Sequence, residues 1–286
     1  MAVLGLVYDR TRWEEKALIN ASKKKSVELK TVDAKEIYIN LEDKENAEKA
    51  FGNTVIQRCV SHIRGLHMTS ILENFGLSVI NPFQVSSTCG NKLLTTLALV
   101  KAGIPVPETI IAFDPEAALK GFDAMGFPAV LKPVMGSWGR LVSLVKDRES
   151  AQAIIETRDE IKNALLQTYY IQKFVKRPPR DIRVIVIGDS VAGASYRYSP
   201  PDDWRTNVAR GGASESCPVT EELEQLALKA SWAVGGGVLA VDCMEAPEGL
   251  VVNEINGTPE FKGLSSATNV DIATKIIDYA LELTKK

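Results

Sequence analysis

Residues 239–261 restrict the possible folds of this chain more than any other stretch: Leu-Ala-Val-Asp-Cys-Met-Glu-Ala-Pro-Glu-Gly-Leu-Val-Val-Asn-Glu-Ile-Asn-Gly-Thr-Pro-Glu-Phe. An apolar run reaches Asp242, Ala246-Pro247-Glu248-Gly249 reads as a turn, and β-branched residues fill the run that follows. This pattern predicts two strands joined as a hairpin. Successive side chains of a strand point to opposite faces, so Glu254 and Asn256 share a side. Pairing across the turn brings Asp242 beside them. Two carboxylates and an amide are hard oxygen donors, suited to a Mg²⁺ that also shares phosphate oxygens. A solvated strand face is the competing reading.

The N-terminal part alternates strand and helix. Val3 to Val7, Val27 to Val32, Val55 to Val60 and Leu77 to Ile80 read as strands, with helices over Arg12 to Ala21 and Leu66 to Phe75. Such alternation predicts a parallel sheet covered on both faces. No G-x-G-x-x-G follows the first strand, which argues against a dinucleotide site. Ser86 to Thr88 supply N-cap candidates for a helix running to about Lys101. Lys92 then sits in its first turn, where a cation opposes the helix dipole and needs solvent or an anion nearby.

Further on, the strand Ala129 to Lys132 ends at Pro133, followed by Gly136-Ser137-Trp138-Gly139-Arg140 and a second strand, Leu141 to Val145. Glycines let such a loop turn its N–H groups toward phosphates, with Arg140 adding charge, although an ordinary hairpin loop has the same pattern. It is not a P-loop, because no Gly-Lys-Ser/Thr follows. In the strand Tyr169 to Val175, the segment Gln172-Lys173-Phe174-Val175 could offer backbone amides to a purine, or form plain core. A hairpin follows over Ile182 to Ile187 and Val191 to Tyr198. The long charged segment Ser199 to Gly212 reads as a functional loop. Helices are expected over Glu221 to Ala233 and Ile272 to Leu283.

Composition narrows the function classes. The 286 residues carry a formal net charge of -2, with 45% hydrophobic and 24% charged residues, which is ordinary for a globular protein of two or three modules. That balance gives no support for nucleic-acid binding. Four scattered cysteines form no C-x-x-C pair, so neither a disulfide framework nor a zinc site is expected. His62 and His67 are five apart, the wrong spacing for a paired ligand motif on a helix. No apolar run reaches membrane-span length and no signal peptide is evident, so the expected location is cytoplasmic.

Taken in order, Lys92, Lys132 before the glycine loop, Gln172 to Val175, Asp181-Ile182-Arg183, Asp242 and Glu254-Ile255-Asn256 resemble the ATP-grasp ligases. The likeness extends to the RimK-like branch and its LysX/ArgX enzymes through Arg58-Cys59-Val60-Ser61, Arg180 to Arg183, Asn207 to Gly212 and Asn253 to Asn256 with Glu260-Phe261-Lys262. It covers essentially the whole chain. It implies an α/β and α+β architecture: a Rossmann-like N-terminal domain over 1–86, a central ATP-grasp subdomain with the glycine-rich loop over 87–168, and a C-terminal subdomain with the metal site over 169–286. Those enzymes join the α-amino group of glutamate or α-aminoadipate to the C-terminal glutamate side chain of the carrier protein LysW, in arginine or lysine biosynthesis.

The resemblance implies ATP and Mg²⁺ as cofactors, with Lys92, Lys132, residues 136–140 and residues 172–175 at the nucleotide. It implies Asp242, Glu254 and Asn256 as metal ligands, and LysW and a small acidic amino acid as partners, in a homo-oligomer. An acyl phosphate on the carrier would be attacked by the amine, with Arg183, Arg197 and Arg210 stabilising it. Arg58, Arg64, Asn207, Gly257, Thr258 and Glu260 are the candidates for holding substrate. Two departures stand out: Lys173 replaces a glutamate common in the adenine linker, and Gly257 stands where LysX-like sequences carry histidine. The second favours glutamate as substrate. No general base is evident.

Overall fold

Short apolar runs separated by helices do assemble in parallel at the start of the chain. The computed structural model describes residues 3–136, 139–200, 203–206 and 213–285. In it β1 (Val3–Tyr8), β2 (Glu28–Asp33), β3 (Thr54–Gln57) and β4 (Ser78–Ile80) form a parallel sheet in the order β2-β1-β3-β4. Three helices, α1 (Trp13–Lys24), α2 (Ala47–Phe51) and α3 (His62–Asn74), connect the strands. β2 lies on one side of β1 and β3 on the other, so winding reverses there. A crevice therefore opens at the carboxyl ends of β1 and β3. Arg12 follows β1 and His62 follows β3, which brings both to that edge.

The next two helices correct the sequence reading. Ser86 to Thr88 do not cap a helix; they lie inside α4 (Phe83–Cys89), which begins after Pro82 and breaks at Gly90. A separate α5 (Lys92–Lys101) starts at Asn91, whose side chain accepts from the Leu93 and Leu94 amides at 3.0 and 3.3 Å. An asparagine carbonyl caps better than a helix can run through glycine, so the register is set there.

A second sheet, antiparallel, orders β5 (Thr109–Ala112), β6 (Ala129–Lys132), β7 (Ser143–Val145) and β8 (Tyr169–Lys173) as β5-β8-β6-β7. Its Ala129, Leu131, Tyr169 and Ile171 pack with Phe122 and Ile155 from α6 (Pro115–Met125) and α7 (Arg148–Glu160). Alternation sends Val130, Lys132, Tyr170 and Gln172 to the other face. β5 and α7 were not anticipated, although Asp147 and Ser150 form a capping box at the start of α7.

The third sheet is also antiparallel: β9 (Arg180–Ile187), β10 (Ser190–Tyr198), β11 (Ser214–Ser216), β12 (Val238–Ala246) and β13 (Gly249–Asn256), ordered β11-β10-β9-β12-β13. One face packs on α8 (Glu221–Ala233). The other meets α9 (Lys262–Thr268) and α10 (Ile272–Leu283). The apolar stripe of α10, including Ile276 and Ile277, fills a core shared by Leu4, Leu6 and Ile56 of the first sheet and Ile185 and Val238 of the third. Asn81 ties the same two sheets together. Its amide donates to the Val238 and Gly257 carbonyls at 2.8 and 2.7 Å and accepts from the Val238 amide at 2.7 Å. The first and last parts of the chain thus share one apolar core.

Candidate active site

The predicted hairpin forms, and it sets the first half of the site. Asp242 lies directly opposite Glu254, and the pairing then slips between Asp242 and Cys243, which leaves Asn253 as the extra residue of a bulge on β13. Simple alternation would send Asn253 to the face opposite Glu254. Instead its side-chain Oδ1 accepts from Lys132 Nζ at 2.9 Å, and both residues line the same cleft. The sequence reading passed over Asn253 as a site residue for this reason. Asn256 Nδ2 lies 3.3 Å from both an Asp242 and a Glu254 oxygen, so the expected donor set converges. Among the described residues no three His, Cys, Asp or Glu side chains gather, and Asn256 is the further oxygen donor beside the two carboxylates. Two carboxylates and an amide oxygen fit Mg²⁺.

Asp242 is buried, and it sits within an arrangement of charges on one face of β10, β9 and β12. Arg183 grips both its oxygens at 2.8 Å, and Arg197 Nη2 approaches at 3.0 Å. Arg197 in turn grips Asp181 with two bonds of 2.7 Å, and Thr206 donates to Asp181 as well. Burial pushes the Asp242 carboxyl up, but Arg183 and Arg197 outweigh it and hold its pKa below the ordinary value. For Arg197, burial works against the charge while Asp242 and Asp181 more than restore it, raising the pKa. Three of its four contacts fall on Oδ2, while Oδ1 accepts from Arg183 alone, so Oδ1 keeps a lone pair for a cation.

Lys132 leaves β6 into the same space. Its ammonium donates to Gln172 Oε1 at 2.6 Å as well as to Asn253. Burial lowers its pKa to about 8, which Glu254 partly offsets and Lys92 reinforces. Lys92, at the first turn of α5, donates to the Gly136 carbonyl at 2.8 Å and lies 4.0 Å from Glu254. A cation at that dipole end therefore has the anionic neighbour it requires.

These groups line a cleft of about 320 Å³ between the second and third sheets, together with Gly136, Gly139, Arg140, Gln172, Lys173, Phe174 and Val175. Phe174 meets Trp204 edge-on at 6.0 Å between ring centres, giving the cleft an apolar end. Arg205 Nη1 bonds the Gly139 and Val142 carbonyls at 3.1 and 3.4 Å, fastening the glycine-rich segment to the third sheet's loop. Sequence reasoning missed Arg205, as it did Arg177, which also lines the cleft. Ser137, Trp138, Asn207 and Arg210 lie outside the described residues.

A second cavity, of about 250 Å³, opens at the crevice of the parallel sheet. It shares Lys92, Gly136, Arg197, Asn253 and Glu254 with the first, and Gly257, Thr258 and Glu260 form part of its wall. Arg58 and Arg64, candidates for holding substrate, are not among its lining residues. Arg58 is buried, bonded to Glu15 at 3.1 Å and to the Pro259 carbonyl at 2.9 Å, so it anchors the 257–261 segment from behind. Arg64 pairs with Asp9 at 2.5 Å, and Asp9 also accepts from the Val60 and Ser61 amides. From the N-terminal part of the chain it is Arg12 that reaches the cavity, its Nη1 3.0 Å from Glu260 while Glu15 holds the other side of its fork.

Comparison with known proteins gives this architecture a family. A family model described as the RimK-like ATP-grasp domain matches residues 89–280, and one described as the LysX preATP-grasp domain matches residues 4–88. The chain belongs to the RimK-like ATP-grasp family. As a RimK-like ATP-grasp protein it is an ATP-dependent carboxylate–amine ligase. Its relatives include the glutamate–LysW ligase ArgX of Sulfurisphaera tokodaii, 39% identical over 97% of each chain. The α-aminoadipate–LysW ligase LysX of the same organism is 38% identical over 99% of this chain and 100% of its own. A crystal structure of a RimK-domain ATP-grasp protein from Sphaerobacter thermophilus superposes with a TM-score of 0.76 at 26% identity, covering 98% of this chain and 100% of the other.

Proposed function

We propose that this ligase joins the α-amino group of glutamate to the C-terminal glutamate side chain of the carrier protein LysW. The observation that carries the reading is the junction of the two cavities at Lys92, Gly136, Arg197, Asn253 and Glu254. A phosphorylated carboxylate formed on one side can there meet an amine held on the other. The identity of carrier and amino acid rests on similarity to LysW ligases of both kinds.

In the cleft, Lys92 and Lys132 bind the phosphates of ATP as point charges, and residues 172–175 run along the base. Asp242, Glu254 and Asn256 hold Mg²⁺, which offsets charge on the transferring phosphoryl group when bound. Transfer of the γ-phosphoryl to the LysW carboxylate converts a poor leaving group into phosphate. Arg197 faces both spaces and Arg183 the second, and together they stabilise the resulting acyl phosphate. Arg12, Lys92, Arg183 and Arg197 line the second cavity, where guanidinium and ammonium donors suit the carboxylates of an acidic amino acid. Cys89 packs against Gly257, where an added Cβ would lie 3.3 Å from the Cys89 Cβ, so that wall is close and favours the shorter glutamate chain.

Incubation with ATP, Mg²⁺, LysW and either glutamate or α-aminoadipate, followed by mass spectrometry of LysW, tests this. A mass gain of one glutamate, with ADP release, is expected. A gain only with α-aminoadipate reverses the substrate assignment, and no gain with either removes the carrier-ligase reading.

A further inference from the structure

Amide formation leaves one requirement unmet by the residues described so far: the incoming α-ammonium must lose a proton before its nitrogen can attack. Glu260 is held by Arg12 at 3.0 Å, while Glu254 faces Asn256 and Lys92. His62 is differently placed. It begins α3 at the crevice of the parallel sheet and lines the second cavity opposite the 257–260 segment. Its ring lies flat against Gly90, so close that a Cβ built there would come within 1.9 Å of Cε1 and 2.3 Å of Nε2. A side chain at this break between α4 and α5 would require the imidazole to move. Neither ring nitrogen has a hydrogen-bond partner among the described residues. A half-buried imidazole with both nitrogens uncommitted, in a cavity that opens onto the phosphate cleft, is disposed to meet a ligand.

We propose that His62 contacts the amino-acid substrate and accepts the proton of its α-ammonium group, with Gly90 as the residue that admits the ring. This deepens the ligase reading above and depends on it. One ammonium proton passes to an imidazole nitrogen. The freed lone pair forms the C–N bond at the acyl-phosphate carbon, and the C–O bond to phosphate breaks. The second proton leaves with the phosphate, the third stays on the amide, and the imidazolium returns its proton to water. The surroundings keep the ring in its basic form. Burial lowers the His62 pKa. Arg183 and Arg197 of the third sheet are balanced by Asp242 and Asp181, and Lys92 of α5 faces Glu254. Arg12 and Glu260 neutralise each other, as do Arg64 and Asp9, and burial pushes the Cys89 thiol up to about 12, so it stays uncharged.

The test separates this step from phosphoryl transfer. Hydroxylamine is unprotonated near neutral pH and traps an acyl phosphate as hydroxamate without needing a base. With ATP, Mg²⁺ and LysW, the His62→Gln variant should form hydroxamate within about twofold of the unaltered enzyme, while glutamate ligation falls roughly 10²-fold. The acid limb of its kcat/KM profile for glutamate should disappear. Gly90→Ala, which displaces the ring, should show the same pattern. Melting with and without ATP establishes that each variant folds. If His62→Gln does not fold, His62→Phe, which fills the same space over Gly90, is read in the same assay. Equal loss of both reactions, or retention of both, overturns the proposal. Absence of hydroxamate and of ligation in the unaltered enzyme overturns the ligase reading itself, and this proposal with it.

Discussion

The two cavities are built on different principles. The phosphate cleft is walled by side chains of adjacent antiparallel strands, whose charges are fixed by one another: Asp181, Arg197, Asp242 and Arg183 alternate in sign across β10, β9 and β12. The second cavity shares one wall of strand residues with it, and its other walls are the ends of elements. Arg12 precedes α1, His62 opens α3, Gly90 separates α4 from α5, and Gly257 to Glu260 follow β13. Strand register fixes the first to within one pleat, so it is rigid and its residues depend on each other. Loop ends allow single residues of the second to change without disturbing a sheet, which suits the part of a ligase that selects its amine.

The most damaging single change should therefore fall on the ladder. Asp242→Ala removes a proposed metal ligand, deprives Arg183 of its carboxylate and leaves the buried Arg197 with Asp181 alone. Loss of ligation of roughly 10²–10³-fold is expected, the scale of losing one group that stabilises developing charge. Stability should fall by about 3–5 kcal/mol, as for a buried pair deprived of one partner. Urea unfolding and the mass assay measure the two separately. A variant with full stability would show that the ladder is not coupled as its geometry requires.

Arg58 sharpens the contrast, because it stands behind the second cavity and not in it. Its Nε bonds Glu15, its Nη1 bonds the Pro259 carbonyl, and its Nη2 is buried with no hydrogen-bond partner. Arg58→Met should cost about 3 kcal/mol, at the low end for a buried pair because Glu15 keeps Arg12. The KM for glutamate should change less than that for Arg12→Met. The opposite order would return Arg58 to the role its sequence suggests, that of a substrate ligand.

That misplacement shows where the sequence stops being informative. Asp242, Glu254 and Asn256 were legible because a hairpin relates them through a short turn and a period of two. Lys132 and the glycine segment were legible for the same local reason. Asn253 was not, since a single bulged residue reverses the face that alternation assigns. Arg12 was not, because its partner Glu260 lies 248 residues away in sequence. His62 was noticed only as too far from His67 to form a motif, and its meaning comes from Gly90, on another element. The parallel sheet, the hairpins and the last helix follow from local patterns. The sharing of α10 between the first and third sheets is a property of the packed chain, carried by a stripe that reads the same against any apolar surface.

Lys132 gives the mildest and most quantitative contrast, since the second cavity holds no lysine buried to the same degree. Its pKa, about 8 in the folded chain, lies below the ordinary lysine value of 10.5. Below pH 8 it is charged in both folded and unfolded states, and burying that charge costs stability. Between about 8 and 10.5 the unfolded chain holds the extra proton, so stability should rise with pH across that window and level off above it. ATP should respond in the opposite sense. Its phosphates favour the charged ammonium, so binding draws a proton onto Lys132 above pH 8, and affinity should weaken there by up to about tenfold per pH unit. Calorimetric titration of ATP from neutral to alkaline pH reads this directly. Lys132→Met should weaken binding roughly 10-fold at neutral pH, the scale of one charge-assisted hydrogen bond, and remove the alkaline slope. A slope that survives in Lys132→Met would assign the titrating group to another residue and leave Lys132 a structural neighbour of Gln172 and Asn253.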